Sequence, residues 1–230
     1  MRRTESVHVL GLKKRRDVAR KLASRAKSRY GELKRRRSRP PLEQLILSIL
    51  WRCTSTRRAS RALKALEDTF VDWNEVRVST VGEVAAVLSS SEWTAPCAER
   101  IIGVMRSLFD IHNMVSLDPL TELTPAQSRS FLQSLPGMGR DIADEVLLFS
   151  FQSEVLPLSE DTARLCYRLG LIRNERASQD SQKELMALWP PELYAPLTLF
   201  FIDHARGVCR FDKPRCKECS VKQDCIKQDV

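Results

Sequence analysis

The stretch LPGMGRDIADEVL, from Leu135 to Leu147, decides how this chain is expected to fold. Two short amphipathic helices flank a Pro-Gly-x-Gly turn, whose glycines allow backbone angles that a side chain would forbid. The turn runs directly into a helix N-terminus, where unpaired N–H groups and the helix dipole favour an anion. A DNA phosphate fits such a helical hairpin, although a tight turn without a ligand is the plainer interpretation. The candidate DNA-binding residues are Leu135, Pro136, Gly137, Met138, Gly139 and Arg140.

Four cysteines have the spacing C-x6-C-x2-C-x5-C and lie at positions Cys209, Cys216, Cys219 and Cys225. Clusters of four irons are held by four cysteine thiolates. Structural zinc sites also use four, but they usually show two separate C-x2-C pairs, and only Cys216 and Cys219 form one here. The spacing therefore favours a 4Fe-4S cluster, with zinc, disulfides or free thiols as alternatives.

The composition is typical of a globular, mostly helical protein. The chain has 230 residues, of which 43% are hydrophobic and 29% charged, and apolar residues recur at three- and four-residue spacing. No segment resembles a signal peptide, and no apolar run approaches the ~18 residues of a membrane span. Together with an odd number of cysteines, these features predict a cytoplasmic protein without a membrane partner, in which Cys53, Cys97 and Cys166 are small buried thiols.

Positive charge is concentrated in the first 40 residues. They hold 16 Lys and Arg against three acids, a net charge of +13, whereas the whole chain carries +9, so the remainder sums to −4. The runs Lys13 to Arg16 and Lys34 to Arg37 suit a polyanion, with an anionic membrane surface or a solvated tail as alternatives. We predict a basic arm over residues 1–40, disordered over residues 1–16 and helical from Asp17 to about Glu32.

Apolar spacing and capping residues predict further helices along the chain. Thr80 and Glu83 have the spacing of a capping box, Thr124 is an expected N-cap before Pro125, and Pro196 is expected to kink its helix. The predicted helices are Pro41 to Cys53, Arg57 to Phe70, Thr80 to Leu88, Ala95 to Asn113, Pro125 to Leu135, Arg140 to Phe151, Asp161 to Leu169, Gln179 to Leu188 and Pro191 to Gly207.

Three stretches together resemble the endonuclease III branch of the helix–hairpin–helix DNA glycosylases. They are LPGMGRDIADEVL (Leu135 to Leu147), EDTARLCYRLGL (Glu160 to Leu171) and DHARGVCRFDKPRCKECSVKQDC (Asp203 to Cys225). The likeness runs from about Pro40 to Cys225, and the last stretch is the most specific, because the cysteine spacing and KPRC-x-x-C coincide in it.

The resemblance implies an all-α fold with two lobes. Residues 41–155 would form a six-helix lobe that holds the hairpin, and residues 156–230 would pack with the N-terminal segment around the cluster. The implied partner is double-stranded DNA with a damaged or mismatched base, whose nucleotide is flipped out of the duplex. A monomer associated with the nucleoid is expected.

Two carboxylates are the catalytic candidates. The resemblance places the family's essential aspartate at Asp161, where a carboxylate can stabilise positive charge on the sugar or orient a nucleophile, although capping the next helix is the plainer role. Bifunctional members carry a Schiff-base lysine directly after the Gly-x-Gly-Arg turn, and here that position is Asp141. A monofunctional glycosylase with water as the nucleophile is therefore expected.

Asp141 has two further interpretations. An acid in the first turn of a helix is favoured by ~0.3–1 kcal/mol, so its role can be purely structural. Alternatively it faces Asp161, and the two carboxylates hold their pKa values apart as an acid and a base.

The resemblance also suggests further DNA contacts. Relatives usually carry a glutamine that fills the gap left by the flipped base, and an ungapped match puts Cys53 and Thr54 there, with Trp51 and Arg52 as side chains that would compensate. The segment Leu47 to Trp51 offers no glutamate like the acid of adenine glycosylases, so the excised base stays open. Phosphate contacts are expected from the cysteine loop and the helix before it, unless these are solvated surface charges: Arg206, Arg210, Lys213, Arg215 and Lys217.

Two other functions fit the same residues. The loss of the lysine and the altered Cys53–Thr54 turn would suit a protein that binds DNA lesions or structures without cutting them. A bifunctional glycosylase and lyase would need another amine, and no lysine occurs between Lys64 and Lys183.

Overall fold

Residues 9–31, 39–88 and 93–226 are described by a computed structural model, and every regular element in these ranges is a helix. The predicted all-α fold is therefore confirmed. The chain divides into two compact units. The hairpin unit is Arg37–Ser153, and the cysteine unit combines Met1–Arg36 with Glu154–Val230.

The α-helices of the hairpin unit are α2 (Pro41–Cys53), α3 (Thr56–Thr69), α4 (Trp73–Val78), α5 (Val81–Val87), α6 (Thr94–His112), α7 (Pro125–Ser134) and α8 (Arg140–Phe151). A six-residue helix, α4, is one that the apolar spacing did not predict; Asp72 caps it by accepting a hydrogen bond from the N–H of Glu75. A short 3-10 helix, Asp118–Glu122, precedes α7.

Helix α2 is the centre of the hairpin unit. It packs against α3, α6 and α8, and Leu45, Ile46, Ile49 and Leu50 are fully buried in the contacts. Burying such side chains stabilises a fold by about 1.5–3 kcal/mol each. Because α2 is fixed on several sides, the residue near its end, Arg52, is held at a defined place against α8.

Arg52 joins α2 to α8 through two acids. Its Nε and Nη2 donate to Oδ2 of Asp141 at 3.2 and 2.8 Å, and Nη2 also donates to Oε1 of Glu145 at 2.8 Å. Glu145 is fully buried, and its Oε2 accepts no hydrogen bond of normal geometry within the described ranges. Burial raises the pKa of Glu145 to about 7, although Arg52 and the Ser48 hydroxyl offset part of the effect.

The cysteine unit consists of α1 (Leu12–Tyr30), α9 (Glu160–Arg168), α10 (Gln179–Met186) and α11 (Tyr194–Gly207). Helix α1 packs on α11 and buries one apolar stripe. The indole Nε1 of Trp189 donates to the carbonyl of Ala19 at 2.8 Å, and Tyr30 donates through its hydroxyl to Asp203. The stripe consists of Val18, Ala19, Leu22, Ala23 and Ala26.

The expected disorder of residues 1–16 is wrong for its last part. Leu12 to Arg16 form the start of α1, where an ion pair joins Arg15 to Glu184. The described part of the expected arm is thus a packed helix with a basic outer face. The run Lys34 to Arg37 lies outside the described residues.

Local capping signals in the sequence are reproduced in the structure. Thr80 and Glu83 form the predicted capping box, and Thr124 caps α7 ahead of Pro125. The expected kink at Pro196 is wrong. The 3-10 helix Pro191–Leu193 precedes α11, so this proline lies in the first turn, where its missing N–H would be unpaired in any residue.

Among the described helices, none alone has the length and apolar character to cross a membrane. Only the helix pair Gln179–Met186 and Pro191–Gly207 has that length and apolar character when the two are taken together, and this pair is bent by 105°.

Replacing Glu145 by Gln tests whether a buried acid with a raised pKa sits between α2 and α8. Because the folded-state pKa of about 7 exceeds the ordinary 4.5, the wild type gains stability from the protonated form, and this gain is lost as the pH rises through 7. We expect the free energy of unfolding of Glu145→Gln, relative to the wild type, to rise by up to ~3 kcal/mol between pH 5 and pH 8. Urea unfolding at both pH values measures it, and a difference that does not change with pH would contradict the expectation.

Candidate functional site

The helical hairpin leaves its backbone open to solvent. Leu135 and Met138 are buried and anchor the turn, and the N–H of Met138 donates to the carbonyl of Leu135 at 3.2 Å. Pro136, Gly137 and Gly139 are exposed, and Gly137 has φ +69°, which favours glycine. No side chain within the described residues caps α8. Its first-turn N–H groups are therefore placed as an anion site requires.

Asp141 lies in the first turn of α8, as predicted. One carboxylate oxygen binds Arg52, and the other, Oδ1, folds back over Gly139. A Cβ added at Gly139 would come within 2.5 Å of this oxygen, so any side chain there would displace the carboxylate. The helix start, Asp141 and Arg52 thus form one connected arrangement.

Arg140 faces a buried acid as well as solvent. Its Nε lies 3.7 Å from Oδ2 of Asp144, a fully buried carboxylate that also accepts a hydrogen bond from Arg129. The Arg140 side chain is 39% exposed, so a part of it stays available to a phosphate beside the turn.

The turn after α2 carries the candidate gap-filling residues. Cys53 donates through its thiol to the carbonyl of Ile49, and Thr54 ends the helix in an extended conformation. Trp51 is buried and packs edge-on against Phe149, so it cannot compensate for the short side chains. Both Cys53 and Thr54 remain partly exposed.

Of the two side chains expected to compensate for the short Cys53 and Thr54, Trp51 is buried and Arg52 still offers a polar group. Its Nη1 makes no hydrogen bond to any residue within the described ranges, and its side chain is 15% exposed. The guanidinium is therefore fixed along one edge and open along the other.

In the cysteine unit, Asp161 is clamped by two arginines. Its Oδ1 accepts from Nη1 of Arg164 at 2.7 Å, and its Oδ2 accepts from Nε of Arg206 at 2.9 Å. Burial acts to raise the pKa of Asp161, but the two guanidinium groups outweigh it and hold the pKa below its ordinary value. The carboxylate stays ionised and is a weak base.

Asp161 does not cap α9, so the plainer interpretation of this residue is wrong. Ser159 is the N-cap: its hydroxyl accepts from the N–H of Thr162 at 3.3 Å and lies 3.1 Å from the Thr162 hydroxyl. The idea that Asp141 faces Asp161 joins residues of different units and stays a hypothesis.

The four cysteines of the spacing motif line one cavity, together with apolar side chains of α9 and of the loop. None of them is in a disulfide. The Cys209 sulfur lies 3.7 Å from Nη1 of Arg168, and Nε2 of His204 lies 3.4 Å from the Cys219 sulfur. Hydrogen bonds to thiolate sulfurs are one means by which a protein sets the potential of an iron–sulfur cluster.

The sulfur atoms surround a space rather than meet at a point. Within the described ranges, no three side chains of His, Cys, Asp or Glu converge closely enough to hold a single metal ion. Four thiols around one apolar cavity are nevertheless the donor set that a four-iron cluster uses.

Two buried arginines of α9 fasten the cysteine loop. Nη2 of Arg164 donates to the carbonyls of Ala205 and Cys209 at 3.1 and 3.0 Å. Nη1 of Arg168 donates to the carbonyl of Arg210 at 2.8 Å. The sequence analysis did not identify these residues, although Asp161, Arg164 and Arg168 recur at three and four residues and so share one helix face.

The expected phosphate contacts differ in their surroundings. Arg206 is engaged with Asp161, and the exposed Arg215 lies 3.8 Å from Glu218. Arg210, Lys213 and Lys217 are exposed on the loop. Their roles at DNA stay predictions.

Comparison with known proteins gives consistent matches. The chain is 26% identical over 185 residues to endonuclease III of Thermotoga maritima, which covers 80% of this chain and 82% of that protein. It superimposes on an endonuclease III trapped as a covalent intermediate with DNA, with a TM-score of 0.64 and 21% identity over 92% of this chain and 96% of that one. It also superimposes on a thermostable thymine-DNA glycosylase, with a TM-score of 0.63 and 18% identity. That match covers 94% of this chain and 97% of the other. No family model matches the chain.

The sequence match and the structural matches each cover at least four fifths of the chain. The structural matches agree with the all-helical architecture of the described residues. The chain is therefore similar in sequence to endonuclease III, and it has the fold of the helix–hairpin–helix DNA glycosylases.

Proposed function

We propose that this protein is a DNA glycosylase that excises a damaged or mismatched base from double-stranded DNA without lysine-dependent strand cleavage. The observation that carries the proposal is Asp141, which occupies the first turn of α8 directly after the hairpin and binds Arg52 there. A carboxylate cannot form a Schiff base with a sugar. Water is the nucleophile that remains.

Asp161 is proposed to act by its charge rather than by taking a proton. With both oxygens bound by Arg164 and Arg206, it remains an anion over a wide pH range but is a poor base. An anion beside the sugar stabilises the positive charge that develops when the base leaves. The guanidinium groups fix its orientation, and they also reduce its field.

The residues fit a 4Fe-4S cluster, which Cys209, Cys216, Cys219 and Cys225 would hold. When bound, the cluster would stiffen the loop that carries Arg210, Lys213, Arg215 and Lys217. Arg168 would assist from α9, because it binds both the loop backbone and the region of the Cys209 sulfur. The loop would then contact the phosphate backbone without reading its sequence.

A second candidate function is recognition of DNA lesions or structures without chemistry. Both candidate catalytic carboxylates are bound by arginines, Asp141 by Arg52 and Asp161 by Arg164 and Arg206. An acid neutralised in this way contributes less to catalysis, while the hairpin and the basic loop would still bind DNA.

The proposed activity predicts strand breaks that appear only after hot alkali. The assay uses the full chain, purified without oxygen, and labelled duplexes with oxidised pyrimidines, uracil, hypoxanthine, mismatches, 8-oxoguanine pairs or an abasic site. Excision without lyase activity leaves an abasic site that alkali then cleaves. Breaks before alkali would require another amine as nucleophile, and tight binding without any break would favour the second function.

Replacing Asp161 by Asn should lower the excision rate about 10²- to 10³-fold, the usual size of the loss when one electrostatic stabilising group is removed. The affinity for the duplex should stay nearly constant, because the basic loop is unchanged. Single-turnover excision and a binding titration measure the two quantities. Asp180→Asn, at an exposed site on α10, is the matched control. An unchanged excision rate in Asp161→Asn would remove this residue from the mechanism.

Iron and sulfide analysis of anaerobically purified protein tests the cluster. We expect about four irons per chain for the wild type, and loss of most of that iron in Cys216→Ser. Cys97→Ser, at a buried thiol of the hairpin unit, should keep its iron. Zinc in place of iron in the wild type would contradict the cluster.

A further inference from the structure

Arg52 is a cation fixed along one edge. Nε and Nη2 bind the carboxylates of Asp141 and Glu145, while Nη1 makes no hydrogen bond to the described residues. A free arginine side chain loses rotamer entropy when a ligand fixes it. Here the two acids already fix the side chain in the free protein, so little further entropy is lost on binding and Nη1 is preorganised to donate.

The arrangement is costly for stability alone. Glu145 is fully buried, and one of its oxygens accepts no hydrogen bond of normal geometry. A well-packed apolar pair would usually be as stable as a buried ion pair or more so. A buried acid with an incompletely satisfied carboxylate in such a place is typical of a functional group.

Arg52 lies between the two segments of the hairpin unit that are candidates for DNA contact. It immediately precedes Cys53 and Thr54, at the open turn after α2. Its partner Asp141 folds over Gly139, at the end of the hairpin turn. The guanidinium thus links the turn after α2 to the start of α8.

We propose that Nη1 of Arg52 is a specificity-determining donor that hydrogen-bonds an oxo oxygen of the flipped base, with Asp141 and Glu145 as positioning residues. This proposal rests on the proposed function. A guanidinium only donates hydrogen bonds, so it matches a carbonyl oxygen and leaves an amino group at the same position without a partner.

The chemical class that follows is the deaminated bases. Deamination replaces an exocyclic amino group by an oxo group, which converts cytosine to uracil and adenine to hypoxanthine. An arginine that accepts the oxo form and leaves the amino form unpaired separates damaged from normal bases at that atom. Normal guanine and thymine carry oxo groups too, but they are well paired in the duplex and costly to flip.

The test measures binding separately from excision. Duplexes carry uracil or cytosine on a 2′-fluoro sugar, which resists loss of the base, opposite an abasic-site analogue, so that neither base has a pairing partner. A hydrogen bond from a charged donor discriminates roughly 10- to 150-fold against a base that leaves the donor unpaired. We expect the wild type to prefer uracil by a factor in this range, and hypoxanthine over adenine likewise.

Arg52→Met should bring the uracil-to-cytosine ratio of affinities close to one. Because this change leaves two acids without their cation, the double variant Arg52→Met/Glu145→Gln provides the same test in a protein with less unpaired charge. Asp141→Asn should lower the ratio because it releases one edge of the guanidinium, and the ratio cancels any change in affinity that the two duplexes share. Arg106→Met, on α6 of the same unit, removes an exposed positive charge and should leave the ratio unchanged.

The outcomes separate this proposal from the one on which it rests. A ratio that persists in folded Arg52→Met overturns the role of Arg52, as does a wild type with no preference that still excises another base. A uracil preference that depends on Arg52, in a protein that excises nothing, would support the recognition role and overturn the glycosylase.

Discussion

A charge removed from water must be paired with an opposite charge or with several hydrogen bonds. The side chains that satisfy this requirement stabilise each of the two candidate sites. In the hairpin unit, Arg52 meets it through Asp141 and Glu145, which ties α2 to α8. In the cysteine unit, Arg164 meets it through Asp161 and two backbone carbonyls. Guanidinium groups suit this task because their five donors can serve several partners at once.

The same arginines determine what chemistry the acids can do. Fixing a carboxylate with two guanidinium groups orients it well but lowers its basicity, as at Asp161. Catalysis at such a group depends on the placement of charge before the reaction begins. The cysteine loop shares this dependence, since Arg164 holds both Asp161 and the carbonyl of Cys209. The cysteine loop and the carboxylate are therefore joined through one side chain.

Features encoded locally could be predicted from the sequence. The capping box at Thr80 and Glu83 and the cap at Thr124 depend on residues three positions apart, and the structure contains both. The all-helical class followed from apolar periodicity in the same way. The start of α1 was missed because the contact that it makes, the ion pair of Arg15 with Glu184, joins residues 169 positions apart and is not encoded locally.

The residue types of the candidate sites could be predicted from the sequence, but the contacts between them could not. The cysteine spacing and the aspartates could be identified from their motifs, whereas the pairing of Arg52 with Asp141 joins residues 89 positions apart. No local pattern encodes such a contact. The roles of Arg164 and Arg168 were accessible in principle, since their spacing from Asp161 places them on one face of α9.

The packing of α1 on α11 has a consequence for how the protein is made. A ribosome releases α1 long before α11, so this helix emerges without the surface that covers its apolar stripe. The hairpin unit is continuous in sequence and can fold during synthesis, whereas the cysteine unit must wait for residues after Glu154. During that interval the nascent chain exposes a basic segment whose apolar residues have no partner surface, and its positive charge favours non-specific binding to nucleic acid.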